Sequence, residues 1–306
     1  MKGNENMKSD IKVNKEETNK NYKTGSVKSR DGTIIGYRQL GYGPGIVLIH
    51  GAMTSAQNFT QLAEYLSNSF TVYIPDRRGR GLSGQFGKDY SMQTEVEDLD
   101  AILNITGAKN VFGISSGGLI VLQAALSLPM IHRAAIYEPA LLLSGSEYTD
   151  WLHRYDREMS QGKIASALIT SMKGLKLGPP IFNLIPRWIL ELLTNKVMES
   201  EDKKASAGEV TMRMLAPTLH FDGKLIIEME GTIERFSSAN AEFLLLGGSK
   251  GLSYLKPSLL ALEKVLPHAK LIELQGIDHS GACNINNSNK GGNPELVSQE
   301  LRRFFL

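Results

Sequence analysis

Cysteine is almost missing from this chain: Cys283 stands alone among 306 residues. That excludes an intrachain disulfide, a cysteine-based zinc cluster and an iron–sulfur site. Long apolar runs are missing too. The longest is about seven residues, against the ~20 needed to span a bilayer, and the first residues hold no apolar stretch of the kind a secretory signal needs. An excess of one charge is also absent, with 34 Lys+Arg against 32 Asp+Glu and a net charge of +2. Nothing in that balance calls for a nucleic acid or an anionic membrane as partner. The lack of disulfides fits a reducing compartment, and the expected location is cytoplasmic.

Glycine, by contrast, is plentiful at 30 residues, and it falls in short clusters that suggest tight turns around a site. Residues 1–24 carry six Lys, four Asp or Glu and five Asn. Such a segment cannot bury enough apolar surface to offset its ordering entropy, so it reads as a disordered polar tail. From there the pattern changes. Residues 26–41 read as two strands joined at Asp31-Gly32. Four short, continuously apolar runs follow, at 45–51, 70–76, 110–114 and 134–140. They alternate with helical stretches at 56–66, 91–106 and 117–128. Continuous apolar strands are buried on both faces, as in a parallel sheet, and the alternation predicts an α/β fold. Residues 141–238 break the alternation with amphipathic helical sequence. A strand at 241–248, a helix at 256–266, a strand at 269–274 and a last helix at 294–305 resume it. The expected organisation is a core of 25–140 plus 239–306, interrupted by a helical insertion over 141–238.

Gly113-Ile114-Ser115-Ser116-Gly117 matches G-x-S-x-G, after a buried strand and before a buried helix. A serine in that strained turn projects its hydroxyl off the sheet, and glycines on either side avoid collisions with it and with neighbouring backbone. The helix that follows offers free N–H groups and a positive dipole end to developing negative charge. Three further motifs stand in order around it: His50-Gly51 after the first buried strand, Asp76-Arg77-Arg78-Gly79-Arg80-Gly81-Leu82-Ser83 after the second, and Gly276-Ile277-Asp278-His279 near the C-terminus.

With these four motifs the chain resembles the α/β-hydrolases that carry a helical cap, over nearly everything after the tail. The resemblance implies a mostly parallel central sheet flanked by helices, with the cap inserted before the last strands. It makes Ser115 the nucleophile and His279 the general base that takes its proton. It implies an oxyanion hole from the backbone N–H groups of Ala52 and Ser116, a structural His50, and Met53 as a residue lining the substrate pocket. No metal or organic cofactor is needed for this chemistry. In much of the family an acid follows the penultimate strand, but here that loop reads Ser249-Lys250-Gly251-Leu252-Ser253, without a carboxylate. The family's alternative position follows the strand after the nucleophile helix, where Glu138 stands between Tyr137 and Pro139. A carboxylate there can accept the imidazole N–H and fix its tautomer. Asp278, beside His279, is a poor orienter because adjacent side chains diverge.

The arginines at 77, 78 and 80 read either as a phosphate or carboxylate patch or as structural residues of the family loop. Trp151, Tyr155, Met159, Leu168, Met172, Phe182, Leu184, Trp188, Leu192, Met212 and Met214 populate the insertion; some are packing and some are expected to face the serine. The function expected is cleavage of a carboxylic ester, with a small-molecule ester or lactone as the partner. Opening of a lactone, possibly macrocyclic, uses the same parts. A ligand-binding receptor on a hydrolase scaffold is the reading from another class. Dehalogenase and epoxide-hydrolase chemistry would, on the same resemblance, need an aspartate where Ser115 stands.

Overall fold

The computed structural model describes residues 22–145, 150–177, 182, 184–286 and 289–306. Among these residues an eight-stranded sheet runs in the order β1-β2-β4-β3-β5-β6-β7-β8. Its strands are β1 (Lys23–Lys28), β2 (Ile34–Gly41), β3 (Gly45–Ile49), β4 (Thr71–Pro75), β5 (Asn110–Ile114), β6 (Arg133–Tyr137), β7 (Glu242–Gly248) and β8 (Lys270–Leu274). The first two pair antiparallel, β2 runs antiparallel to β4, and every other pair is parallel. The polar segment expected over 1–24 therefore ends too late. Lys23 and Thr24 pair with Gln39 and Arg38, and ladder hydrogen bonds give those two residues a place that composition cannot reveal. Residues 1–21 lie outside the described residues.

The apolar runs are buried on both faces because successive side chains point to opposite sides. Val47, Ile49, Val111, Ala134, Ile136 and Leu245 join the core beneath α2 (Met92–Thr106), α3 (Ser116–Ser127), α8 (Leu219–Met229) and α9 (Lys256–Val265). Ile46, Leu48, Phe112, Ala135, Leu244 and Leu246 join the opposite core beneath α1 (Thr60–Leu66) and α10 (Pro294–Phe305). Ser91 caps α2, with Thr94 returning the bond to its backbone N–H, and Gly107 ends the helix in the left-handed region at φ 66°.

Between β6 and β7 the chain is helical, with α4 (Trp151–Ser160), α5 (Ile164–Gly174), α6 (Arg187–Lys204), the short α7 (Met212–Leu215) and α8. Trp151, Leu152, Tyr155, Ala167 and Leu219 form a third apolar cluster, and Ala52 and Met53 of the β3 turn pack against it. Leu184, Trp188, Leu192 and Met214 stay exposed, so these four of the apolar residues named above are not core packing.

Chain connectivity places the site. From β3 the chain moves to β4 on one side and then returns to β5 on the other, which leaves a crevice at the carboxyl ends of β3 and β5. The turns after β3, β5, β6, β7 and β8 all open on that edge.

Candidate active site

Ser115 follows the last residue of β5 and precedes α3, with φ 56° and ψ −123°. Five non-glycine residues among those described have positive φ: Met53, Ser115, Glu138, Lys176 and His268. Three of the five are residues that the sequence marks for the site, and strain of this kind persists only where the surroundings over-determine it. The turn explains its glycines. A Cβ on Gly113 would stand 2.4 Å from the Gly117 carbonyl oxygen, and one on Gly117 would stand 2.4 Å from that of Ile49. The Ser115 N–H donates to the Tyr137 carbonyl (3.1 Å), and its own carbonyl accepts from Gly118 (2.9 Å) and Ala140 (3.1 Å).

Glu138 follows β6, which pairs with β5 through Tyr137 and Ile114; the acid and the serine thus leave adjacent strands at the same edge. Glu138 is 1% exposed. Its Oε1 accepts the Gly248 N–H at 2.8 Å, and its Oε2 accepts His279 Nδ1–H at 2.7 Å and the Leu252 N–H at 3.4 Å. With the proton of Nδ1 committed to a carboxylate, Nε2 of the neutral ring is left as an acceptor. The His279 loop is held by Tyr137, whose hydroxyl donates to the Asp278 carbonyl at 2.6 Å, and by the Lys250 N–H on the Ile277 carbonyl at 2.9 Å. Asp278 turns its carboxylate to the Ser280 N–H at 2.8 Å, away from the imidazole.

The loop without a carboxylate has a physical counterpart. A Cβ on Gly251 would lie 1.6 Å from Glu138 Oε1. The β7 loop thus leaves open the volume that the acid from β6 fills.

The turn after β3 brings Ala52 beside the serine: a Cβ on Gly51 would stand 3.0 Å from Ser115 Cβ. Among the described residues, none of the hydrogen bonds that hold the 50–56 turn uses the Ala52 N–H, and Ser116 opens α3, where an N–H has no acceptor within the helix. Buried His50 donates from Nδ1 to the Gly51 carbonyl (3.1 Å) and accepts the Arg77 N–H at Nε2 (3.1 Å). Burial, with Arg80 and Arg77 adding to it, holds its pKa well below the ordinary histidine value, so the ring is neutral and structural. Burial, with Asp278 adding to it, pushes the Cys283 thiol up to about 12, which keeps it protonated and unreactive at neutral pH.

Residues 46–280 match the profile described as the alpha/beta hydrolase family. The chain belongs to that family. Its fold is the α/β-hydrolase fold. An uncharacterized hydrolase, YraK, of Bacillus subtilis is 37% identical over 123 residues, which is 38% of this chain and 45% of that protein. The match thus spans less than half of that relative. A solved alpha/beta hydrolase from Sphaerobacter thermophilus superposes with a TM-score of 0.73 at 28% identity, over 92% of this chain and 100% of that one. A thermophilic esterase from Thermogutta terrifontis gives a TM-score of 0.67 at 16% identity, over 92% of this chain and 98% of that one, a likeness of fold alone.

Within this α/β-hydrolase the arginine-rich motif forms no anion patch. Arg77, Arg78 and Arg80 are each 3% exposed or less. Arg77 binds Glu95 and Asp222, Arg78 binds Asp31 and Asp98, and Arg80 binds Asp222. Burying three guanidinium groups is tolerable only with such partners. Asp222 escapes a reading of motifs because it lies in the helical insertion, far from any of them. Its signal is periodicity: Leu219, Asp222, Gly223, Ile226 and Met229 share the buried face of α8. Among the described residues no three His, Cys, Asp or Glu side chains are grouped to hold a metal ion, and no helix is long and apolar enough to cross a membrane.

Proposed function

We propose that this α/β-hydrolase is a serine hydrolase of carboxylic esters, with Ser115 as nucleophile, His279 as general base and Glu138 as the acid that orients it. The observation that carries the reading is the 2.7 Å contact from His279 Nδ1 to Glu138 Oε2, on the sheet edge where Ser115 occupies its strained turn. Ser115 Oγ attacks the ester carbonyl and gives its proton to His279 Nε2. The oxyanion is met by the N–H groups of Ala52 and Ser116, aided by the α3 dipole. Collapse of the tetrahedral intermediate expels the alcohol, which takes the proton back from His279. Water, activated by the same imidazole, then releases the acid and restores Ser115. Glu138 keeps accepting the Nδ1–H of His279 throughout and stabilises the imidazolium.

Met53 links this machinery to a groove of about 630 Å³ lined also by Gln57, Val197, Val210, Met212 and Leu215. Its strained backbone (φ 53°) directly follows the oxyanion residue Ala52. The groove is the proposed path of the substrate's apolar part.

The test is turnover of p-nitrophenyl esters of increasing chain length beside lactones of increasing ring size. Turnover of the linear esters is the expected result. Exclusive turnover of lactones would move the substrate class while keeping the machinery. Stoichiometric acylation without turnover of either would favour a ligand-binding receptor.

A further inference from the structure

Asp222 is fully buried on α8 of the helical insertion, and the steps above do not use it. Its Oδ1 accepts Arg77 Nη1 at 2.7 Å and the Ser116 hydroxyl at 2.8 Å, and its Oδ2 accepts Arg80 Nη2 at 2.5 Å. Arg77 Nη1 also donates to Ser116 Oγ at 3.1 Å. The other edge of the Arg77 guanidinium is fixed by Glu95, from Nε at 3.0 Å and Nη2 at 2.8 Å, and Nη2 reaches Tyr90 at 3.3 Å. Arg77 is a hub between two turns. Its side chain, with Asp222, grips the side chain of Ser116. Its backbone N–H grips His50, whose other nitrogen holds the Gly51 carbonyl, the peptide that carries the Ala52 N–H.

We infer that Asp222 is a positioning residue: seated on Arg77 and Ser116, it fixes the backbone N–H of Ser116 against that of Ala52, so the oxyanion hole reaches its working geometry only when α8 of the insertion is docked. The inference rests on the assignment of Ser115 as nucleophile. The carboxylate spends both oxygens on three donors, two from the turn after β4 and one from the first turn of α3, and buried charge pairs of this kind hold geometry more firmly than neutral contacts. Two arginines and two carboxylates balance in charge at this point, so loss of Asp222 leaves a guanidinium uncompensated and free to pull on Ser116 and on the turn after β4. Preorganised donors matter because they cost no rearrangement when the oxyanion forms. A donor that wanders loses that advantage without losing substrate.

The decisive variants are Ser116→Ala, which removes the tie but keeps the backbone N–H, and Asp222→Asn, which keeps the shape and removes the charge. Each is assayed on one short ester, well below its own melting midpoint, beside inhibition by a boronic acid that mimics the tetrahedral intermediate. Wild-type labelling by a serine-directed phosphonate is run in parallel, because its failure to mark Ser115 would count against the nucleophile assignment and not against Asp222. The expected result for both variants is a fall in kcat of about 10-fold to 100-fold, below the 10²–10³ for outright loss of a donor. KM should stay within about two-fold, and boronate affinity should weaken by the same factor as kcat. The double variant should be no worse than Asp222→Asn, since both act on one tie. A folded Ser116→Ala enzyme with unchanged kcat would overturn the inference, as would a loss in kcat without any loss in boronate affinity. If Asp222→Asn fails to fold, Ser116→Ala alone decides.

Discussion

Glu138 is the side chain on which the proposed triad depends. Its carboxylate is enclosed by the N–H groups of Gly248 and Leu252 and by His279 Nδ1. Glu138→Gln keeps the volume but presents an amide that can donate where the ring also donates. The imidazole then turns or changes tautomer, and the imidazolium loses its counter-charge. The expected fall in kcat is on the order of 10²–10⁴ with KM little changed, while Asp278→Asn, facing Ser280, stays near wild type. Steady-state kinetics of the two on one ester makes the comparison, and the reverse pattern would remove Glu138 from the triad. Gly251→Ala should mimic the first variant from the opposite side, because its methyl group would stand 1.6 Å from Glu138 Oε1. At this scale Ser115 and His279 stand beside motifs of short range, whereas Glu138 stands beside none and is reached through the acid-free loop at 249–253 and the family's alternative position for the acid. Gly251 is legible only in reverse, as the loop that lacks an acid. Asp222 is not legible from motifs, since its partners Arg77, Arg80 and Ser116 lie 106 to 145 residues away in the chain.

The strands and helices follow the apolar pattern closely, and the reason is burial. Runs such as Asn110–Ile114 are enclosed on both faces, so periodicity and environment agree. Agreement ends at the sheet's edge. β1 is mostly exposed or half-buried, and Lys23 and Thr24 belong to it through backbone pairing alone, which leaves no mark on composition. The insertion shows the same limit, because apolar residues at helical spacing do not say which face is covered: Tyr155 is buried and Trp188 is 66% exposed. The edge strand gives an expectation of its own. Removal of residues 1–28 takes the six-residue register with β2 and the packing of Val27, whereas removal of 1–21 leaves both. Thermal unfolding should show the longer truncation melting on the order of 5 °C below the shorter one. Equal midpoints would mean that β1 adds nothing to the core.

Across the whole molecule, the ion pairs beneath the site couple stability to pH. Burial works against a charged Asp222, but Arg77 and Arg80 outweigh it and hold its carboxyl below the usual carboxylate range. The unfolded chain, with an ordinary value of ~3.9, then binds more protons than the folded one as the solution is acidified. Stability from this group is therefore complete above about pH 5, begins to fall as pH approaches the unfolded value, and is lost as pH falls on through the folded value. The urea midpoint of the wild type should drop more steeply from about pH 5 towards pH 3 than that of Asp222→Asn. Parallel curves would show that Asp222 is not the group that titrates.

The proposed hydrolysis depends on one oxygen, the hydroxyl of Ser115, and peptide mapping after reaction with a serine-directed fluorophosphonate examines it most directly. The predicted result is one adduct per chain, on Ser115, formed rapidly in the wild type, slowly in His279→Ala and not at all in Ser115→Ala. An adduct on Ser116 or Ser83, or labelling that is indifferent to His279, would contradict it.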